Sequence, residues 1–210
     1  MVINEEAAAL RSTDEPITLE QMEIPHAELG SKPAPGHLAL VQAFLNTVDL
    51  ETSVDALQSP GTLAAWFTGH GLLDPGVPLT DADLRFAIQV REALRGLAFA
   101  NHDGERDPAD LDVLNRAASG ARLRVRFEEE GSALEADPPG IDGAIARLLG
   151  IVHDAMAEGV WDRFKACRRD TCRWAYYDRS RNRSSSWCTM DVCGNKEKAK
   201  AYRERKRAEA

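Results

Sequence analysis

The chain has 210 residues, 43% of them apolar and 29% charged, and its 26 basic against 34 acidic side chains give a net charge of −8. That composition describes a globular chain of one or two domains, and no run approaches the roughly 18 uninterrupted apolar residues of a membrane-spanning helix. The start, Met1-Val2-Ile3-Asn4-Glu5-Glu6, has neither the cationic region nor the apolar core of a signal peptide, so a cytoplasmic location without a membrane partner is expected.

Pro16, Pro25, Pro33 and Pro35 punctuate residues 1–35, which read as an extension with a short strand around Ile17 to Ile24. From His37 the pattern turns helical, with Leu38, Val41, Leu45 and Val48 on one stripe. Ser59-Pro60 is a cap followed by a first-turn proline, opening a second helix through Leu63, Trp66 and Phe67 to a stop at Gly69 and Gly71. Thr80 with Asp83 forms a capping-box pattern for the longest helix, about Asp81 to Asn101. Asp107-Pro108 starts a fourth helix that ends at Gly120. Leu123, Val125 and Phe127 then alternate with Arg122, Arg124 and Arg126, as in a half-buried strand, and Gly131 turns the chain back through Ala133 to Ala136. A fifth helix runs from about Asp142 to Glu158. Residues 36–160 are thus a mainly helical body with one β-hairpin, long enough to bury a single core.

A net charge of −8 disfavours a polyanionic partner, but the average hides a split. Residues 161–210 hold 15 basic and 7 acidic groups, a local net of +8, which leaves −16 on the rest. Such asymmetry points to nucleic acid at the basic end. The plainer alternatives are a tail that docks on the acidic body, or a solvated face.

All four cysteines lie in this tail: Cys167, Cys172, Cys188 and Cys193, as C-x4-C-x15-C-x4-C. Two close thiol pairs separated by a hairpin-length insert can set four sulfurs at the corners of a tetrahedron, the closed geometry of structural Zn2+. Thiol redox chemistry is a second reading, and disulfides or free thiols a third. Zinc would also supply a staple for fifty residues with too few large apolar groups for a core of their own, and the tail is expected to fold with metal and to be largely unfolded without it.

Between the pairs, Arg173 to Asp178 reads as a strand, Arg179 to Arg183 as a turn and Ser184 to Trp187 as the return strand, so the module is ββα-like. If the backbone is extended there, Arg179, Arg181 and Arg183 point one way. After Gly194-Asn195 a helix-forming run places Lys196, Lys200, Arg203 and Arg207 on one basic stripe. Trp174, Tyr176 and Trp187 suit a small tail core better than base-stacking platforms.

Enzyme motifs are absent: no G-x-S-x-G, H-E-x-x-H, phosphate-binding G-x-x-x-x-G-K or G-x-G-x-x-G occurs, and His26, His37, His70, His102 and His153 are scattered. A zinc ion closed by four thiolates has no open position for catalysis.

The run Cys167-Arg-Arg-Asp-Thr-Cys172-Arg-Trp-Ala-Tyr-Tyr-Asp-Arg-Ser-Arg-Asn-Arg, with Trp187-Cys188-Thr-Met-Asp-Val-Cys193-Gly-Asn-Lys196 and Tyr202-Arg203, resembles the CGNR zinc finger across about residues 160–207. The fourth residue of the namesake motif is Lys196, where Arg is expected; charge is kept but the bidentate fork is lost. The body resembles the ABATE domain through Phe44-Leu-Asn46-Thr47, Leu63 to Trp66, Arg91-Glu-Ala-Leu94-Arg95 and Leu114-Asn115. The resemblance implies a stress-induced transcription regulator in three parts: an extension (1–35), a small-molecule-sensing domain (36–160) and a DNA-binding zinc module (161–210). Structural Zn2+ would sit on the four cysteines, and double-stranded DNA would be held by Arg179, Arg181, Arg183, Lys196, Lys200, Arg203 and Arg207. With about five phosphates engaged, log affinity would fall with log salt at a slope of roughly −4 to −5. An unknown effector would contact Asn46 and Arg91, with Trp66 walling the pocket; the plainer alternative is that Asn46 caps or closes a helix and Arg91 is a surface or ion-paired group. A homodimer matches a two-fold operator. An RNA-binding or protein-interaction module held by zinc, and a small-molecule-binding protein or enzyme acting through the body, are the competing readings.

Overall fold

The computed structural model describes residues 30, 32–102, 104–120, 123–129, 131–136 and 139–208, so the expected strand at Ile17 to Ile24 lies outside the described residues. In chain order the elements are α1 (Leu38–Leu45), β1 (Val48–Asp49), β2 (Val54–Asp55), α2 (Pro60–Gly69), α3 (Asp81–Ala100), α4 (Pro108–Gly120), β3 (Leu123–Glu128), β4 (Gly131–Ala136), α5 (Ile141–Ala157), a 3-10 turn (Trp161–Arg163), β5 (Phe164–Ala166), β6 (Ala175–Tyr177), a π turn (Met190–Gly194) and α6 (Asn195–Ala208). The fold is mainly helical, with a C-terminal strand and helix module, as the sequence leads one to expect.

Local chemistry sets the helix starts. Ser59 Oγ accepts from the Thr62 N–H (3.2 Å) while Thr62 Oγ1 accepts from the Ser59 N–H (3.0 Å), with Pro60 at the first helical position. Thr80 and Asp83 make the same reciprocal exchange at the head of α3. The first helix is shorter than its apolar stripe suggests. Thr47 Oγ1 donates to the Phe44 carbonyl (2.8 Å) and the Asn46 N–H to Gln42 (3.0 Å), which closes α1 and sends Val48 into β1, opposite Asp55. All eight residues of α1 are buried, because it is the central helix of the body and not an amphipathic surface one.

The β3–β4 hairpin forms with Leu123 opposite Ala136 and Glu128 opposite Gly131. Its expected packing does not. Val125 is 59% and Phe127 83% exposed. The main core instead runs from Phe44, Leu63, Phe67, Leu94, Ile145 and Leu148 into Trp161, Phe164, Ala166, Ala175 and Tyr177, so the C-terminal segment fills space that alternation in β3 alone would assign to the hairpin.

The tail is therefore part of the body's core. The antiparallel pair β5–β6 (Phe164 opposite Tyr177) supplies both faces of a wall. Ala175 and Tyr177 face the main core, while Tyr176 between them joins Cys167, Cys188, Cys193, Trp174 and Trp187 in a second cluster, as the period of two along a strand requires. β6 pairs with β5, which precedes Cys167, and Ser184 to Trp187 is not a strand. A turn at residues 180–183, where Arg183 has a φ of +51°, interrupts extended backbone through Arg179, Arg181 and Arg183.

Polar side chains of the body close this seam. Asn46 Nδ2 donates to the Ala175 carbonyl (3.0 Å) and Asn46 Oδ1 accepts from the Ala175 N–H (2.8 Å), a side chain acting as a partner strand. Gln42 Nε2 adds a bond to the same carbonyl (3.1 Å), Arg95 Nη1 donates to the Arg173 carbonyl (2.9 Å), and Asn101 Nδ2 donates to the carbonyls of Trp161 and Phe164. On the far side the Tyr177 N–H reaches the Lys32 carbonyl (3.0 Å) and Ala34 is buried in the core. Asn46→Ala strips the Ala175 N–H of its acceptor inside the protein and is expected to cost about 1–3 kcal/mol, read as a lower midpoint in urea unfolding; an unchanged midpoint would mean that the seam carries no stability.

Candidate metal centre

Three different local structures deliver the cysteines. Cys167 follows β5 and is tied by its N–H to the Trp174 carbonyl (2.9 Å), Cys172 ends the following turn, Cys188 follows the 184–187 segment, and Cys193 lies in the π turn that leads into α6. Gly194 sits in close quarters there: a Cβ would displace the flexible Met190 side chain and crowd Trp187.

All four cysteines are free, and their Sγ atoms lie within 4.8 Å of one another. Cys188 is 3.7 Å from both Cys172 and Cys193. A tetrahedron with metal–sulfur bonds of about 2.3 Å has edges of about 3.8 Å, so the donor set and its spacing fit a four-coordinate metal ion. Cys167, Cys188 and Cys193 are buried and Cys172 partly so. Hydrogen bonds from the Cys172 and Cys188 thiols hold Cys167 down at about 2, the same Cys167 pushes Cys172 up to about 12, and Cys167, Cys172 and burial together drive Cys188 far above the usual thiol range. Crowded sulfurs share protons and cannot all ionise together, so a cation must displace protons to bind.

A charged shell surrounds the cluster. Arg169 donates from Nη1 to Cys193 Sγ (3.9 Å), and its guanidinium also makes a bidentate pair with Glu51 in the β1–β2 turn (2.8 and 3.1 Å). Glu51 also accepts from Lys196 Nζ at 2.5 Å. These two hydrogen bonds, from Arg169 first and then Lys196, hold the Glu51 carboxyl at about 2. Asp49 Oδ1 accepts from the N–H groups of Glu51 (2.8 Å) and Thr52 and fixes the turn. Deeper in, Lys165 Nζ pairs with Asp178 Oδ2 (3.0 Å), both nearly fully buried, and donates to the Arg183 carbonyl. Asp178 also accepts from the N–H groups of Ser180 and Ser185 (2.9 Å each), so one carboxylate folds the loop between the cysteine pairs. A cleft of about 230 Å³ opens beside the cluster, lined by Lys32, Glu51, Trp174, Tyr176, Cys172 and Val192 among others.

The expected basic surface divides. Lys200, Arg203 and Arg207 are exposed on α6, a helix with no buried residue. Lys196, at the head of the same stripe, is held by Glu51. Arg181 is exposed, whereas Arg179 donates to the Pro33 carbonyl (3.0 Å) and lies over Tyr177, and Arg183 is 3.8 Å from Asp162. The turn disperses these three arginines, so they do not form one face.

The three body residues expected to meet an effector each have partners within the fold. Asn46 is spent on Ala175. Arg91, 3% exposed, is bound to Asp55 by two bonds (2.8 and 2.7 Å), to Thr47 Oγ1 (2.9 Å) and to Glu92 (2.8 Å). Trp66 is partly buried, stacked on His70 at 4.0 Å and tilted against Phe44. Sequence reasoning passed over Glu51, Arg169, Lys165 and Asp178. The one available signal was the position of Arg169 inside the first cysteine pair, since Glu51 lies more than a hundred residues from its partners.

A helical body whose core is completed by a four-thiol module with an outward basic helix defines the class: a helical domain carrying a finger whose donor set fits a metal ion. Residues 36–160 match the ABATE family model, described as "Putative stress-induced transcription regulator", and residues 163–206 match the CGNR zinc finger. The chain belongs to the ABATE family and carries a CGNR zinc finger, and neither family description names a catalytic activity. No curated protein matches the chain. No helix among the described residues is long and apolar enough to cross a membrane.

Proposed function

We propose that the protein is a transcription regulator that binds double-stranded DNA through α6, with Zn2+ held by Cys167, Cys172, Cys188 and Cys193 and with residues 36–160 sensing a small molecule. The observation that carries the reading is a 14-residue helix that buries nothing. An isolated helix of that length is marginal in water, and none of the described residues covers it, so its basic face suits a partner such as DNA. Lys200, Arg203 and Arg207, one turn apart on an exposed face, suit phosphates, and an α-helix enters the major groove of B-DNA but not the narrow groove of duplex RNA. Zinc in its four-thiolate site would be structural: it would cross-link the π turn that launches α6 to β5, and its net charge of about −2 would be offset in part by Arg169.

With Lys196, Arg179 and Arg183 engaged, the expected phosphate contacts that remain are Lys200, Arg203, Arg207 and Arg181, so the salt slope from these four is expected near −3 to −4, shallower than the residue types alone suggest. The test is duplex binding by the full chain between about 50 and 200 mM salt, with single- and double-stranded RNA as competitors. Salt-independent binding, or RNA displacing DNA at equal concentration, would overturn the DNA reading. The acidic body is expected to limit non-specific binding by repulsion, as a chain with net −16 outside residues 161–210 must. For the effector, the 230 Å³ cleft next to the cluster is a better seat than Asn46 and Arg91, whose polar atoms are committed within the fold.

A further inference from the structure

Glu51 stands where a phosphate would. Its two oxygens take the forked guanidinium of Arg169 (2.8 and 3.1 Å) and the ammonium of Lys196 (2.5 Å), the cation geometry that recognises a nucleic-acid backbone oxygen. Both cations belong to the metal module; the carboxylate comes from the β1–β2 turn of the body. Lys196 is the first residue of the stripe that continues, exposed, through Lys200, Arg203 and Arg207. Lys196 and Glu51 are solvent-exposed, at 50% and 40% of their side chains, while Arg169 keeps 13%, so a competing anion reaches the group first through Lys196.

We propose that Glu51 is an autoinhibitory latch, an intramolecular carboxylate that occupies two phosphate-binding cations and must be displaced before the full basic surface closes on DNA. This rests on the DNA-binding reading above. The latch also gives the body a mechanical hold on the metal module, because Arg169 bridges Glu51 to Cys193 and both Glu51 and Cys193 line the 230 Å³ cleft. A molecule entering that cleft meets the latch and the cluster together. Since the two cations keep Glu51 ionised well into acid, the latch opens by competition and not by a change of pH near neutrality.

Glu51→Gln in the full chain tests this. The variant frees Arg169 and Lys196 for two more phosphates, which steepens the salt slope by about 1.8. A duplex-affinity gain of about tenfold at 50 mM salt should therefore shrink to near parity at 200 mM. Zinc content per chain should stay unchanged. A strut would behave oppositely, with Glu51→Gln losing metal and weakening DNA binding, and that result overturns the latch. Equal affinities and slopes for the two proteins would also overturn it while leaving DNA binding intact. In an Arg169→Gln, Lys196→Gln background the Glu51→Gln gain should vanish; a gain that survives comes from general loss of negative charge and removes the latch. If neither protein binds duplex at any salt, the DNA reading itself fails and takes the latch with it.

Discussion

Removing the metal should melt the loops and the basic helix but leave β5 and β6 in place. Four-thiolate zinc sites contribute roughly 10–16 kcal/mol in comparable peptides at neutral pH, and in the second cluster there is little else. Cys167, Tyr176, Cys188 and Cys193 with Trp174 and Trp187 around them make a core too small to hold the 178–194 segment. Phe164, Ala166, Ala175 and Tyr177, by contrast, are anchored in the main core, and Ala175 is clamped by Asn46 and Gln42. With a chelator, amide exchange should accelerate across about residues 179–208 while Phe164–Ala166 and Ala175–Tyr177 remain protected. Metal uptake should return the protection and release protons, more than one per ion, because the crowded thiols hold theirs until a cation arrives. Uniform loss of protection through α1 and α3 would show instead that the metal holds the whole fold, and no loss at all would show that it holds none of it.

Breaking the Lys165–Asp178 pair should be the most damaging single change outside the cysteines. Both groups are almost fully excluded from water, and Asp178 carries the two N–H groups that shape the inter-cysteine loop. Lys165→Met preserves the stem but leaves a buried carboxylate without its cation, a loss of about 3–5 kcal/mol. The sign of the pH dependence follows from the same contacts. Burial pushes the Asp178 carboxyl up, but the hydrogen bonds from Ser180, Lys165 and Ser185 outweigh it and hold it at about 2. A depressed folded value means that the contribution is complete above the unfolded carboxyl range, near 4, and is lost as pH falls towards 2. Lys165→Met should therefore flatten the wild-type fall in stability between about pH 4 and 2. Urea midpoints at pH 7, 4 and 2.5 check both claims, and a midpoint unaltered at pH 7 would mean that the pair is energetically idle.

These features differ in how visible they are to a reader of the sequence. Ser59-Pro60, Thr80 with Asp83 and Asp107-Pro108 mark helix starts within a residue or two, because capping is local chemistry. The cysteine spacing announces a four-sulfur cluster for the same reason. What stays hidden is non-local. Nothing near Ala175 says that its backbone will be met by Asn46, 129 residues away, and nothing near Lys196 names Glu51 as its counter-ion. Alternation in β3 indicates a strand but not what covers it, so the exposure of Val125 and Phe127 could not be read. The strand partner of β6 is hidden for the same reason. Aromatic composition predicts extended backbone at Trp174 to Tyr177, whereas pairing with β5 depends on the body's core drawing in Phe164 and Tyr177.

The bond from Tyr177 to Lys32 joins residues 145 positions apart, and α1 packs on the same strand. A growing chain cannot finish its central core until the segment through Tyr177 has left the ribosome. Until then the largely apolar α1 lacks its lid, and contacts this distant in sequence form slowly because loop closure comes first. Synthesis and assembly are thus separated in time, and the nascent body is most vulnerable to aggregation in the interval before the finger arrives.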